Sequence, residues 1–209
     1  MKKIKRIAVF GGTFSPIHYG HIEAAKAYAS EVKPDALYII PTAVPPHKMR
    51  SDLVSNEDRF NMLKLAFSGV DIQCDVVISD IEFKRGGKSY TIDTVNELLK
   101  IAEEVYIYCG TDMLLSIDKW YEFEKLLSCV SVAYMGREDD CRFETELSEK
   151  ARELSEKYGT MVIALPPLSK EMSSSEIREK ICEGQDLSEY IPLDVIDYIK
   201  RKQLYKNER

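Results

Sequence analysis

Hydrophobic and polar positions divide the chain into two kinds of segment that alternate along its length. Short runs rich in β-branched and aromatic residues are typical of buried strands, and they occur at residues 7–10, 37–40, 76–81, 105–108, 130–134 and 161–164. Apolar residues that recur every three or four positions are typical of amphipathic helices, and they occur at residues 21–30, 56–67, 91–101, 143–157, 174–183 and 193–201. The pattern therefore predicts strands and helices in alternation.

Alternating strands and helices predict an α/β fold, with a doubly wound, Rossmann-like parallel sheet and helices on both faces. Ligands of such sheets bind beyond the carboxyl ends of the strands, so we expect functional residues in the loops at that edge. With 209 residues and no repeat or flexible linker, the chain is expected to form a single domain over residues 1–209. Its C-terminal part, residues 173–209, is expected to be helical.

The first predicted strand is followed by a glycine-rich turn, GGTFSP at residues 11–16. Adjacent Gly11 and Gly12 let the backbone turn sharply and bring amide N–H groups close to a ligand. The next helix adds the partial positive charge of its N-terminus, and we expect Ser15 as its N-cap and Pro16 as its first residue. The turn lacks the GxGxxG spacing of dinucleotide-binding oxidoreductases. Strand, turn and helix together predict an anion site of the kind that holds phosphates.

Two of the three histidines of the chain, His18 and His21, directly follow this turn. If both lie on the first turn of the helix, their rings project to the same side, toward the anion. Imidazoles donate hydrogen bonds to phosphate oxygens, and with ordinary pKa values of about 6.5 they would readily become cationic there. The pair is therefore predicted to bind phosphate. A zinc site is not expected, because no further ligands lie at a suitable spacing.

Charge and composition exclude several classes of partner. The chain carries 29 basic and 35 acidic residues, a net charge of −6, so neither nucleic acid nor an anionic membrane is an expected partner. The basic N-terminus is followed by an apolar run too short for a signal peptide or a transmembrane span, which predicts a cytoplasmic protein. Five scattered cysteines without CxxC spacing favour neither a disulfide framework nor a metal centre.

A second segment suited to phosphate, MSSSEIR at residues 172–178, opens a late predicted helix. Ser173 and the glutamate three residues later have the spacing of a capping box. The hydroxyls and free amides of Ser174 and Ser175 can hold phosphate oxygens, and Arg178 can stabilise a leaving pyrophosphate. A helix cap alone would explain the first serine and the glutamate but not the arginine.

With these two segments the chain resembles the nucleotidyltransferase superfamily that carries the HxGH motif. GGTFSPIHYGH at residues 11–21 is similar to its GGTFxPxHxGH signature, and MSSSEIR is similar to its ISSTxIR element. The usual Asp of the signature is Ser15 here, which keeps the ability to cap a helix. The resemblance implies catalytic roles for His18, His21, Lys48 and Arg178. The ATP site that it implies consists of Gly11, Gly12, Thr13, Phe14, His18, His21, Gly110, Asp112, Arg137, Ser173, Ser174, Ser175 and Arg178.

The remainder of the chain resembles bacterial nicotinate-nucleotide adenylyltransferases over nearly its whole length. The segments that carry this resemblance are IIPTAVPPHK (39–48), SYTIDT (89–94), GTDML (110–114), KWYEFEKLL (119–127) and YIPLDVIDYIKRKQLY (190–205). The resemblance implies a nicotinate ring stacked on Trp120, with its carboxylate held by backbone amides at Thr91 and Tyr121. It further implies an acceptor phosphate near His47 and Lys48, ribose hydroxyls on Asp112, and adenosine near the backbone of Gly110 and the side chain of Arg137.

The reaction that this resemblance implies is transfer of AMP from ATP to nicotinate mononucleotide, giving nicotinate adenine dinucleotide and pyrophosphate in NAD biosynthesis. Mg²⁺ is expected on the ATP phosphates, without dedicated protein ligands. Recognition of the carboxylate by N–H groups, with no fixed acidic group opposing it, would favour nicotinate over nicotinamide. Three alternatives stay open: nicotinamide mononucleotide as acceptor, phosphopantetheine as acceptor, and a nucleotide-sensing module without catalysis. The sequence does not give the oligomeric state.

Overall fold

The computed structural model describes residues 3–45, 53–136, 141–168 and 172–206, without the side chains of residues 141–143. Three residues implied in the site, His47, Lys48 and Arg137, lie outside these ranges. The geometry below is therefore that of the remaining site residues.

Six strands of the described residues form one sheet in the order β3-β2-β1-β4-β5-β6, and every neighbouring pair is parallel. Strand order reverses between β1 and β4, the arrangement that leaves a crevice at the carboxyl ends of these two strands. The doubly wound α/β fold is thus confirmed. The strands are β1 (Ile4–Gly12), β2 (Ala36–Pro41), β3 (Asp75–Ile78), β4 (Ala102–Gly110), β5 (Ser131–Met135) and β6 (Val162–Leu165).

Helices of the described residues connect the strands and follow β6. They are α1 (Tyr19–Val32), α2 (Asn56–Phe67), α3 (Ile81–Arg85), α4 (Thr91–Leu98), α5 (Thr111–Leu115), α6 (Phe123–Leu127), α7 (Cys141–Tyr158), α8 (Ser174–Cys182) and α9 (Leu193–Lys202), with a 3₁₀ turn at Ile117–Lys119. The longer helices match their predicted segments closely, although α4 ends three residues early. Hydrophobic spacing did not reveal α3, α5, α6 or the 3₁₀ turn, because five residues or fewer show too little periodicity.

The strand predicted at residues 76–81 is wrong at its end. Strand β3 stops at Ile78, and Ile81 begins α3 after Asp80. A short apolar run does not by itself distinguish strand from helix, so the apolar Ile81 extended the prediction beyond the true boundary. In the structure, Glu82 and the three residues after it lie on α3, which packs beside β2.

Alternate residues of the central strand supply two separate cores, one on each face of the sheet. Ala8 and Phe10 belong to the core that includes α1, α2, α8 and α9. Ile7 and Val9 belong to the core that includes α4, α5, α6 and α7. Because β1 is buried on both faces, its sequence is a continuous apolar run and not an alternation of apolar and polar residues. Within the part of the chain that the structure describes, no helix has both the length and the apolar character needed to cross a membrane.

Candidate active site

A cleft of about 820 Å³ lies at the carboxyl ends of β1 and β4, where the sheet topology predicts ligand binding. The structure brings residues from four separate parts of the chain to its walls. The residues implied in the site that line this cleft are Gly11, Gly12, Thr13, His18, His21, Thr91, Gly110, Asp112, Trp120, Tyr121 and Ser174. Phe14, Ser173, Ser175 and Arg178 do not line it.

The glycine turn is packed tightly against the ring of Phe14. A Cβ on Gly12 would lie 2.9 Å from two ring atoms of Phe14, closer than two carbons approach, so this position needs glycine. Phe14 itself has a φ of 51° and is 1% exposed. Its ring stacks on Phe10 at 6.0 Å and meets His21 edge-on at 5.0 Å. Its side chain therefore supports the turn and His21 from the core.

The predicted start of α1 is wrong, because Ser15 and Pro16 both precede the helix and His18 is its N-cap. The groups of Ser15 are occupied elsewhere. Its hydroxyl shares a hydrogen bond of 3.1 Å with the hydroxyl of Tyr205, and its carbonyl accepts from Arg178 Nη1 at 2.8 Å. The residue is 1% exposed. Ser15 thus ties the turn to the C-terminal part of the chain instead of capping the helix.

The two histidines form a stacked pair at the N-terminus of α1. Their ring centroids are 3.6 Å apart with an interplanar angle of 29°, and Nδ1 of His18 accepts from the backbone N–H of His21 at 3.3 Å. Because Nδ1 accepts, the proton of neutral His18 is assigned to Nε2, which is left as a donor. A Cβ on Gly20 would lie 3.1 Å from Nδ1 of His18. The small residue between the histidines thus allows the first ring to fold back over the helix start.

Burial favours the neutral form of both histidines. It lowers the pKa of His18 from 6.5 to about 4. It also lowers the pKa of His21 well below the usual value, with a smaller contribution from the neighbouring His18. Burial therefore opposes the cationic forms expected beside a phosphate, since loss of water penalises the charged form. His21 Nδ1 is buried and has no hydrogen-bond partner among the described residues.

The start of α8 is fixed to the turn before His18. Ser173 is the N-cap and accepts from the N–H three residues later at 3.1 Å, as its spacing predicts. Ser174 donates through its hydroxyl to the carbonyl of Pro16 at 3.0 Å, and Arg178 also bonds Ser175 Oγ at 3.3 Å. Arg178 is only 6% exposed. Its contacts hold the turn after β1 in place, and contact with pyrophosphate stays a prediction.

The other end of the cleft is aromatic and more open. Thr91 is the first residue of α4, so its N–H has no carbonyl partner within the helix. Trp120 is half-buried against the core beneath α4 and α6 and turns its remaining surface to the cleft. Tyr121 is 52% exposed, and its ring centroid lies 4.4 Å from that of Tyr90. Aromatic faces and a helix N-terminus thus occur together at this end.

A buried carboxylate that the sequence did not single out also lines the cleft. Glu82 is 8% exposed, and its Oε1 accepts from the hydroxyl of Thr94 at 2.8 Å. Its Oε2 has no hydrogen-bond partner among the described residues. Glu82 thus adds an acidic group to the cleft wall, with Arg85 Nη2 3.9 Å from its Oε1, and the absence of an opposing acid at a bound carboxylate stays a prediction. The predicted strand over residues 76–81 hid this position, which α3 places against α4.

Lysine and arginine side chains are missing from the described part of the cleft wall. Within the described residues, its acidic members are Glu82 and Asp112, and neither lysine nor arginine lines it. Asp112 is exposed in the first turn of α5. Helix N-termini and cations behind the described part of the wall can supply positive potential there.

Arg59 is one such cation, and sequence reasoning missed it. It lies on the buried face of α2 with Met62, Leu63 and Ala66, and it is 1% exposed. A charged residue at an apolar position of an amphipathic helix was the available signal, because such a residue is buried only with partners.

Comparison with known proteins identifies the family. The sequence model of the cytidylyltransferase-like family matches residues 9–180. This chain belongs to the cytidylyltransferase-like family. It is 34% identical to a probable nicotinate-nucleotide adenylyltransferase of Clostridium tetani, over 97% of this chain and 100% of the relative. It is 35% identical to a protein of the same description from Caldicellulosiruptor saccharolyticus, over 96% and 99%. The resemblance to bacterial nicotinate-nucleotide adenylyltransferases is thus confirmed.

Solved structures show the same fold at lower sequence identity. The Plasmodium falciparum nicotinic acid mononucleotide adenylyltransferase complexed with NaAD superimposes with a TM-score of 0.75 at 22% identity, covering 96% of this chain and 97% of that one. The same enzyme complexed with APC gives a TM-score of 0.73. The fold of these structures therefore agrees with the family assigned from the sequence.

Proposed function

We propose that this protein transfers AMP from ATP to nicotinate mononucleotide, giving nicotinate adenine dinucleotide and pyrophosphate. One observation carries the proposal. The stacked histidines at the start of α1 and the aromatic, amide-bearing end at Trp120 and Thr91 share one cleft of about 820 Å³. A cleft of this size accommodates two nucleotides side by side. The full-length likeness to relatives named for this activity supports it.

The histidine end suits the triphosphate. His18 lines the cleft and keeps Nε2–H as a donor, and the N-terminus of α1 adds the partial positive charge of the helix dipole. The acceptor phosphate is already an anion and needs no general base. Catalysis then consists of aligning the two nucleotides in line and stabilising the charge that develops on the transferred phosphate. A triphosphate beside the rings also favours their protonated forms, so ATP binding should draw protons into the site.

Mg²⁺ is proposed to travel with ATP, where it neutralises charge on the phosphates. Among the described residues, no group of three or more His, Cys, Asp or Glu side chains is placed to hold a metal ion. Asp112 is an exposed carboxylate on the wall near the carboxyl end of β4, where the resemblance implies ribose contact.

The aromatic end suits a pyridine ring with a carboxylate. Trp120 offers a half-buried ring face, and Thr91 offers an amide at the positive end of α4. Glu82 accepts from Thr94 on the same helix and would oppose a carboxylate, although Arg85 Nη2, 3.9 Å from its Oε1, offsets part of its charge. Selectivity for nicotinate over nicotinamide therefore depends on the amides outweighing this acid.

The experiment that tests the proposal is pyrophosphate release by the purified protein with ATP and Mg²⁺ and one acceptor at a time. Nicotinate mononucleotide should give the highest kcat/KM, and nicotinamide mononucleotide a lower one. Phosphopantetheine should give no release above the control without acceptor. A higher kcat/KM with phosphopantetheine would contradict the acceptor assignment. ATP binding with no release from any acceptor would instead favour a sensing module.

A further inference from the structure

Arg59 bridges two loops that meet at the phosphate end of the cleft. Its Nη1 donates to the backbone carbonyls of Thr13 at 2.9 Å and of Thr42 at 2.7 Å. Its Nη2 donates to Oδ1 of Asn56, the first residue of α2, at 2.6 Å. A guanidinium that is 1% exposed is costly to bury, and most of its described partners are loop carbonyls. The side chain is therefore arranged around these two loops.

The bridge extends the sheet beyond its last paired residues. Thr13 follows β1 and Thr42 follows β2, whose pairing ends at Gly12 and Pro41. One further backbone bond joins Thr42 N–H to the carbonyl of Gly12 at 2.9 Å. Both threonines line the cleft. Arg59 thus sets the separation of the two loops at the point where they leave the sheet and reach the ligand site.

The bridge also fixes which way the peptide groups of these loops face. In a trans planar peptide the C=O and the following N–H point in opposite directions. Anchoring the carbonyl of Thr13 on Arg59 therefore turns the N–H of Phe14 away from α2. Anchoring Thr42 does the same for the N–H of Ala43, which donates to Ser89 Oγ at 2.9 Å. Loss of Arg59 would remove one anchor from each peptide group and leave that of Thr42–Ala43 held through Ser89.

The charge of Arg59 acts on the same region. Burial lowers the pKa of its guanidinium from the usual value, and Glu82 acts in the opposite direction, but an arginine in a protein stays protonated. Its guanidinium carbon lies 5.2 Å from the ring centroid of Phe83, which shields it on one side. A fixed cation behind a wall that has no basic side chain among its described residues adds positive potential for phosphates.

We propose that Arg59 is a positioning residue for adenylyl transfer, because it holds the loops after β1 and β2 so that the two substrates' phosphates meet in line. It does so without touching either substrate. This inference rests on the proposed function. Geometry of this kind affects turnover more than binding, since reacting atoms misplaced by about 1 Å lose on the order of a hundredfold in rate.

The test compares Arg59→Met and Arg59→Lys with a matched control, Arg6→Met. Arg6 also donates to a backbone carbonyl, that of Val32 at 2.7 Å, and to a carboxylate, Glu104 at 2.9 Å. It lies at the opposite end of β1 from the cleft. The control therefore removes comparable bonds without touching the two loops. Measurements are kcat, both KM values, Kd for a non-hydrolysable ATP analogue with Mg²⁺, Tm and near-ultraviolet circular dichroism.

Arg59→Met should lower kcat about a hundredfold while KM and the analogue's Kd change by less than about tenfold. Arg59→Lys keeps the charge but lacks the planar fork, so its kcat should fall about tenfold. Arg6→Met should lower Tm and keep kcat. All rates are measured well below the lowest Tm. If Arg59→Met does not fold, Arg59→Lys decides the question.

A folded Arg59→Lys or Arg59→Met that turns over within about threefold of wild type would overturn the positioning role and leave the proposed function intact. An equal loss of kcat in Arg6→Met would also overturn it, because the effect would then be general loosening of the sheet. Wild-type protein that releases no pyrophosphate would overturn the proposed function itself, and the kinetic role of Arg59 with it.

Discussion

The two ends of the cleft differ in how firmly the protein holds them. At the phosphate end, Ser15, His18 and Arg178 are 1%, 5% and 6% exposed, and contacts from α2, α8 and the C-terminal tail converge on one turn. At the acceptor end, Tyr121 is 52% exposed and Trp120 is half-buried. Buried, hydrogen-bonded residues thus support the end proposed to hold the phosphates, and aromatic surface is exposed at the end proposed to hold the pyridine ring.

This difference separates two kinds of mutational effect. A side chain held rigidly beside the reacting phosphate contributes to the transition state, so its loss should lower kcat. A half-exposed ring that stacks on the acceptor contributes equally to ground state and transition state, so its loss should raise KM. Three measurements test whether the ends of the cleft behave in these ways.

The largest effect is expected from His18→Ala. Loss of one donor aimed at developing charge typically lowers kcat about a hundredfold or more. The substitution also removes the N-cap acceptor of α1, which costs about 1 kcal/mol of stability. Steady-state kinetics with both substrates saturating measures the change in kcat.

His18→Asn is the matched control for this substitution. Asparagine is a good N-cap but has no imidazole, so stability should recover while kcat stays low. Recovery of kcat in His18→Asn would mean that the cap, and not the ring, is what catalysis needs.

The second effect is a dependence of stability on pH that arises at the same end of the cleft. The pKa of His18 is about 4 in the folded protein and about 6.5 when unfolded, so between these values the unfolded chain binds more protons. Stability is therefore full above pH 6.5, falls as the pH drops toward 4, and levels off below that. For His18 alone the loss between pH 7 and 5 is about 2 kcal/mol.

Urea unfolding of wild type and His18→Gln at these two pH values measures this contribution. Other groups titrate in both proteins, so the informative quantity is the difference between them. The variant should lose less stability on acidification. Identical losses in the two proteins would show that the His18 ring is solvated in the free protein, and the contrast between the two ends would weaken.

The smallest effect is expected at the acceptor end, from Trp120→Ala. Loss of a stacking face worth about 1–3 kcal/mol should raise KM for nicotinate mononucleotide about tenfold. Phe123→Ala is the control, because Phe123 packs on Tyr158 at 5.9 Å in the same core without lining the cleft. It should lower Tm and leave both KM values unchanged. Equal rises in KM for ATP and for the acceptor in Trp120→Ala would argue against stacking.

Local patterns in the sequence predicted the elements that depend on local physics. The continuous apolar run of β1 and the Gly-Gly turn located the sheet and the phosphate site, because strand burial and backbone freedom are properties of neighbouring residues. The three-residue spacing of His18 and His21 likewise predicted a pair on one side, and their rings do stack.

Properties that depend on distant parts of the chain escaped prediction. The local sequence predicts Ser15 as a helix cap. Its actual partner, Tyr205, lies 190 positions away and could not be found from neighbouring residues. The low pKa values of the histidines also escaped prediction. They are caused by burial, and burial is set by the whole fold. Arg59 and Glu82 were missed because their importance comes from loops and helices that meet only in three dimensions.

The bond between Ser15 and Tyr205 has a consequence for the order in which the glycine turn and its supports are synthesised. Synthesis runs from the N-terminus, so β1 and its glycine turn emerge long before the residues that secure them. Arg178 and then Tyr205, which bond Ser15, are synthesised much later. A chain that stops before Arg178 and Tyr205 therefore contains every residue of the histidine motif and still lacks two of the contacts that hold its turn.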